Sequence, residues 1–240
     1  MREAKALKVS IFHRNWLGRN ELARAIGRAA RLYASGDLLD IGCGTKPYQE
    51  LFEVDSYIGV DLPLSHDISR QDKKVIARSR AIDVHGSALA LPFSDSAFQT
   101  VVSFQVLEHV PEPQQMLSEI ARVLKEGGTL ILSTPQMWHL HEAPHDYYRY
   151  TKYGLIYLFR QSRLKLVEIT PIAGFWARVG LKLNYKLEPL INRLERLSPL
   201  LGCPFRLFVA LDNLAFKALD LLWPNPEDCV NHFIVGKKDG

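Results

Sequence analysis

The chain has 240 residues, 47% hydrophobic and 23% charged, with a formal net charge of +4. That is ordinary globular composition, enough for one full core. Cys43, Cys203 and Cys229 lack zinc-ligand spacing and cannot all pair, which predicts free thiols in a reducing compartment. The absence of a charged-then-apolar leader pattern, and of a run of about 18 uncharged apolar residues, predicts neither a signal peptide nor a transmembrane helix.

In chain order, the first 31 residues carry eight basic side chains against Glu3 and Glu21, a net +6, so the remainder is slightly acidic. Arg24, Arg28 and Arg31 share one helix face, either a solvated face or an anion-binding stripe. No aromatic-interleaved basic motif points to nucleic acid, and none is expected as a partner. Strand-like runs follow at residues 36–42, 57–62, 81–85, 100–104, 129–134, 164–170 and 231–235. Between them, "PQQMLSEIARVLKEGG" places Met116, Leu117, Ile120, Val123 and Leu124 on one helix face, with Gly127 expected as C-cap. Residues 151–161 read as a second helix, with Thr151 as N-cap. Strands alternating with helices predict an α/β fold, a mostly parallel sheet covered on both faces, with ligands at the carboxyl ends of the strands.

At one such end stands "LLDIGCGTKPY". Gly42 and Gly44 lack a Cβ, so a ligand can approach the backbone and the free N–H groups beyond it; the same pair also fits a plain tight turn. Asp61 ends the second strand, where a carboxylate can accept from both hydroxyls of a ribose. A dinucleotide site calls for a third glycine where this chain has Pro47, and Asp40 would repel a pyrophosphate. A carboxylate there suits a cationic ligand, such as the sulfonium and amino groups of S-adenosylmethionine.

"LLDIGCGTKPY", "YIGVDL", "GSALALPFSDSAFQTVVSFQVLEHV" and "EIARVLKEGGTLILSTP" resemble, in order and spacing, successive blocks of class I S-adenosylmethionine-dependent methyltransferases, over residues 36–172. The resemblance implies a Rossmann-like seven-stranded sheet with the last strand antiparallel. It implies S-adenosylmethionine as cofactor, with Asp40, Gly42 and Gly44 at its methionine end and Asp61 at the ribose. Ser87 and Ala88 fall at the adenine contact, where the family often has Gly-Asp-Ala, and Gln105 falls near the cofactor. "FHRNWLGRNELARAI" resembles an N-terminal helix that lids the cofactor, with Trp16 and Arg19 matching its aromatic and its arginine.

Two segments supply acid–base groups for the acceptor. "QVLEHV" offers Glu108 and His109, which can act or can merely orient the loop. "HLHEAPHDYYRYT" packs three histidines, two acids, three tyrosines and an arginine into thirteen residues. It also resembles a block of methyltransferases associated with surface-glycan or secondary-metabolite pathways. His145 is the expected base, with His109 as second catalytic candidate; His141, Asp146, Tyr148 and Arg149 are expected to bind the acceptor, unless Asp146 and Arg149 pair to stiffen the loop. Some methyltransferases bind a divalent ion through Glu-x-x-Glu-His and a further His. Gln105 stands at the first Glu position, a poor substitute for a carboxylate, so no metal is expected; the alternative is a metal on Glu108, His109 and one histidine of the later loop.

The expected organisation is a helical lid over 1–35, a core over 36–173, a helical insertion over 174–228 and the last strand over 229–240. Within the insertion, residues 199–223 read as one apolar helix with a narrow polar stripe of Arg206, Asn213, Lys217 and Asp220. Such a helix fits a buried core, a homodimer face, the wall of an apolar acceptor pocket or a peripheral membrane contact. The function expected is methyl transfer, most readily to oxygen, on a small or lipid- or glycan-linked acceptor in the cytoplasm or at its membrane. The alternatives are a catalytically silent cofactor-binding module and a nicotinamide-dependent oxidoreductase.

Overall fold

A computed structural model describes residues 9–63, 77 and 79–239. Arg2, Lys5 and Lys8 of the basic N-terminal segment lie outside the described residues. The strands are β1 (Asp37–Ile41), β2 (Ser56–Asp61), β3 (Val84–His85), β4 (Phe98–Phe104), β5 (Leu124–Pro135), β6 (Leu164–Ile172) and β7 (Asn231–Lys238). They form one seven-stranded sheet in the order β3-β2-β1-β4-β5-β7-β6, with β7 antiparallel to both neighbours and the other pairings parallel.

Both sheet faces are buried, which is why the central strands are apolar without alternation. Leu39, Ile41 and Val101 face one cluster; Leu38, Val102 and Ile131 face the other. The first face is covered by α2 (Pro113–Val123) and α3 (Lys152–Gln161). Pro113 opens α2 at a position where its missing N–H has no helical partner to lose, and Met116, Leu117, Ile120 and Val123 form its buried stripe. Thr151 caps α3 by accepting from the Gly154 N–H at 3.1 Å, as the sequence predicts. The second face is covered by α1 (Trp16–Tyr33) through Leu22, Ile26, Ala29 and Ala30.

Gly127 is not the C-cap of α2. The helix ends at Val123 with Leu124 as cap, because Leu124 already pairs with Phe98 of β4. Gly127, at φ +71°, instead turns the chain inside an irregular start of β5.

Residues 174–228 form two long helices, α4 (Phe175–Leu197) and α5 (Pro199–Leu222), packed against one another and against α1. Pro204 lies inside α5, and α5 stops two residues before Pro224. By length and composition alone α5 is long and apolar enough to cross a membrane, and 28% of its apolar stretch is buried.

Candidate active site

The carboxyl ends of β1, β2 and β4 open into a cavity of about 580 Å³, a volume usual for a cofactor-sized ligand. Gly42 and Gly44 both line it, at φ +71° and +53°, conformations that favour glycine. Their reasons differ. A Cβ on Gly42 would lie 2.4 Å from Val106 Cγ2, so the β1 turn and the β4 turn interlock there. A Cβ on Gly44 would meet nothing within 4 Å, so the backbone is bare toward open space.

Asp61 lines the cavity and joins two turns, accepting from the Gly44 N–H at 2.9 Å and the Leu62 N–H at 2.8 Å. Ser87 and Ala88 line the cavity beyond it. The Ser87 hydroxyl accepts from the Leu89 N–H at 3.1 Å and shapes its own turn. Gln105 also lines the cavity, at φ +57°, a left-handed conformation that non-glycine residues rarely adopt. Its amide donates to Ser133 Oγ at 3.1 Å.

Two expected cofactor residues stand back from this cavity. Asp40 is buried behind the glycine turn and accepts from the Tyr57 hydroxyl at 2.7 Å. Burial pushes its carboxyl up to about 7, and the nearby Asp61 adds to this; the Tyr57 hydrogen bond and Lys46 pull the other way. Arg19 is exposed on α1 and is not among the lining residues, and Trp16 sits beneath Lys217 of α5, 5.2 Å from its ammonium. Composition gave no sign of the supporting ring of Tyr57, Lys46 and Asp83; only the fold shows that Asp83 accepts from the Gly59 N–H at 2.7 Å and pairs with Lys46.

The acceptor side is built by residues 139–150. His145 and His109 line the cavity, as do Glu142 and Tyr147, which the sequence reading passed over. His145 Nδ1 lies 3.1 Å from the Tyr147 hydroxyl. His109 Nδ1 lies 2.7 Å from the His145 carbonyl oxygen, so that nitrogen carries the proton and Nε2 the lone pair of a neutral ring.

The four expected acceptor-binding residues, His141, Asp146, Tyr148 and Arg149, do not line the cavity. Asp146 takes both guanidinium nitrogens of Arg149, at 2.6 and 2.8 Å, and the His141 N–H at 2.8 Å. The guanidinium holds the Asp146 carboxyl well below the usual carboxylate range. Arg149 also donates to the carbonyls of Trp138 and His139, and Tyr148 donates to that of Pro111. The Asp146–Arg149 pair is the loop-bracing contact that the sequence allowed for those two residues. His145, at the end of a turn closed by its N–H on the Glu142 carbonyl, and Tyr147 beyond it reach the cavity instead.

Glu108 is fully buried, and its carbonyl accepts from the Tyr147 and Tyr148 N–H groups. Burial pushes its carboxyl up to about 7. Oε2 accepts weakly from Thr134 at 3.4 Å, while Oε1 has no hydrogen-bond partner and lies 3.9 Å from His109 Nε2. His141 completes the group: ligand atoms of Glu108, His109 and His141 all lie within 4.8 Å of one another. The sequence reading disfavours a metal because of Gln105 but leaves Glu108, His109 and one histidine of the later loop as an alternative set; the fold brings His141 to the other two.

A seven-stranded sheet with an antiparallel β7, a glycine turn after β1 and an acid ending β2 define the class I S-adenosylmethionine-dependent methyltransferase fold. The family model described as "Methyltransferase domain" matches residues 39–132. A demethylmenaquinone methyltransferase of Bacillus licheniformis is 30% identical over 63% of this chain and 72% of its own. The chain belongs to the class I S-adenosylmethionine-dependent methyltransferases. A Mycolicibacterium smegmatis protein named as a probable S-adenosylmethionine-dependent methyltransferase is 33% identical, over 50% of this chain and 45% of its own length. The chain thus spans about half the length of that relative. Among solved structures, the [4+2]-cyclase SpnF covers 93% of this chain and is itself covered to 82%, at TM-score 0.59 and 20% identity. Phosphoethanolamine N-methyltransferase 2 of Haemonchus contortus, solved with S-adenosylmethionine, matches at TM-score 0.59 and 18% identity, over 96% of this chain and 57% of that one. These two share the fold. That one is a cyclase and the other a methyltransferase leaves the reaction to the site.

Proposed function

We propose that the protein transfers a methyl group from S-adenosylmethionine to a hydroxyl of a small or lipid- or glycan-linked acceptor, with His145 as general base. The observation that carries this reading is that His145 and Tyr147 line the same cavity as Gly44 and Asp61. The residues present suit the cofactor: bare backbone at Gly44 and an acceptor carboxylate at Asp61, both lining the cavity. Asp61 would hold the ribose and the Ser87–Ala88 turn the adenine. When bound, the cofactor supplies a methyl already activated as a sulfonium substituent.

The protein's own work is then alignment and proton removal. In the tautomer whose Nδ1–H donates to the Tyr147 oxygen, His145 presents the Nε2 lone pair, which would take the acceptor proton. Leu62, Leu89, Val106, Val110 and Pro111 give the cavity an apolar wall suited to a hydrophobic acceptor. Two relatives carry names that specify demethylmenaquinone, which supports a small-molecule acceptor. Tritiated methyl donor incubated with a panel of polyprenyl-linked sugars, quinols and simple phenols should give labelled ethers. Label found only on amine or carbon products overturns oxygen as the site of transfer.

The unpartnered Oε1 of Glu108 favours a second reading in which Glu108, His109 and His141 hold a divalent cation beside the acceptor. His141 Nδ1 lies 3.2 Å from Asp146 Oδ2, the outer contact that commonly orients a ligating imidazole. Chelator treatment that removes activity, restored by one added cation and absent in Glu108→Gln, replaces the metal-free mechanism. Full activity after chelation with no metal bound retires the cation.

A further inference from the structure

The α4–α5 hairpin turns its polar groups inward and its apolar groups outward. On α5 the polar stripe is the packed side. Arg206 pairs with Glu188 at 3.1 Å and Glu195 at 2.8 Å. Asn213 is buried and donates to the Ile11 carbonyl at 2.7 Å. Lys217 meets Glu21 at 3.4 Å, and Asp220 accepts from the N–H groups of Gly174 and Trp176, both at 2.9 Å. The opposite side carries exposed Leu200, Leu207, Phe208, Leu211, Leu214 and Leu221, from 43% to 82% accessible. At 3.6 residues per turn the exposed positions of α5 from Leu200 onward cover an arc of about 160°, and none is charged.

On α4 the exposed charges are Lys182, Lys186, Arg193 and Arg196. They share a stripe about 80° wide, flanked by exposed Leu183, Leu190 and Leu197. No acid of the hairpin stands fully exposed: Glu188 and the partly exposed Glu195 pair with Arg206, Asp212 is buried and Asp220 accepts from the start of α4. Outward, the hairpin therefore offers four exposed cations, no fully exposed acid and a long apolar face ending at exposed Trp223.

We infer that this hairpin seats the protein on a membrane surface rich in anionic lipid, with α5 lying in the interfacial plane. Charge decides between the candidate occupants. A twofold contact with a second copy through this surface would bring the same cations toward one another. An anionic bilayer complements both the cations and the apolar face, and tryptophan at a helix end suits the headgroup boundary. Spanning is excluded by the inner stripe, whose ion pairs and caps fasten α5 to α4 and α1. The seat also bears on the reaction: Trp138 and His139, at the start of the acceptor loop, pack on Tyr185 of α4 at 5.2 and 5.0 Å, with Lys182 over Trp138. This deepens the lipid-linked reading of the acceptor and rests on it only for its purpose, since binding to vesicles needs neither cofactor nor acceptor.

The test is co-sedimentation of the full chain with phosphatidylcholine vesicles, with and without about one third phosphatidylglycerol, at low and high salt. Binding should require the anionic lipid and weaken with salt. The Lys186→Glu/Arg193→Glu double variant should bind at least about tenfold more weakly, and Leu211→Glu should lose most binding, while both keep wild-type affinity for S-adenosylhomocysteine as a check on folding. Failure of the wild-type chain to bind anionic vesicles overturns the inference, as does undiminished binding by the double variant. A dimer in vesicle-free buffer that Leu211→Glu splits, with no vesicle binding, assigns the face to a second copy instead.

Discussion

His145→Ala is expected to lower methyl transfer by about two to four orders of magnitude while leaving affinity for S-adenosylhomocysteine almost unchanged. The split follows from the geometry. The backbone of His145 is held independently of its side chain, since its carbonyl accepts from His109 and its N–H donates to the Glu142 carbonyl at 3.0 Å. Truncation therefore removes the imidazole without releasing the loop, which Asp146 and Arg149 continue to brace. The proposed cofactor contacts lie on other elements, the ends of β1 and β2. Tyr147→Phe removes only the hydroxyl beside Nδ1 and should cost less than His145→Ala, with a change in the pH profile of turnover. A rate unaffected by His145→Ala, measured at saturating cofactor, removes this residue from the chemistry.

Asp61→Ala is expected to weaken cofactor binding by about 1.5–3 kcal/mol, the usual range for charge-assisted hydrogen bonds, or roughly 10- to 150-fold. Two losses combine. The ribose hydroxyls lose their acceptor, and the N–H groups of Gly44 and Leu62 lose the carboxylate that fixes both turns. Asp61→Asn separates them, because the amide oxygen can still accept one of those N–H bonds. Its affinity should fall between wild type and Asp61→Ala, and its melting temperature should lie nearer wild type.

The sheet and the glycine turn were legible in the sequence because their constraints are local. A strand buried on both faces must be apolar, and positive φ at Gly42 and Gly44 admits few other residues. The acceptor loop was legible in composition but not in direction. Residues 145–148 all carry suitable chemistry, yet His145 and Tyr147 line the cavity while Asp146 and Tyr148 bond to the scaffold. Nothing in one sequence sets that register. The same limit applies to α5: periodicity reveals a polar stripe, but its sense is fixed by Glu188, Glu195, Glu21 and the Ile11 carbonyl, all distant in sequence. The joining of His141 to Glu108 and His109 likewise depends on a contact 32 residues away. Gly127 failed for the reverse reason, since pairing of Leu124 with Phe98 ended the helix before its apparent cap.

Calorimetric titration of S-adenosylhomocysteine into the wild-type chain and into Asp61→Ala, with NAD as comparator, tests the central claim most directly. That claim is that the cavity between the β1 glycine turn and the acceptor loop is the cofactor site. One-site binding of S-adenosylhomocysteine, weakened at least about tenfold in Asp61→Ala and with no heat from NAD, is the result predicted. Tighter binding of NAD, or S-adenosylhomocysteine binding indifferent to Asp61, contradicts it.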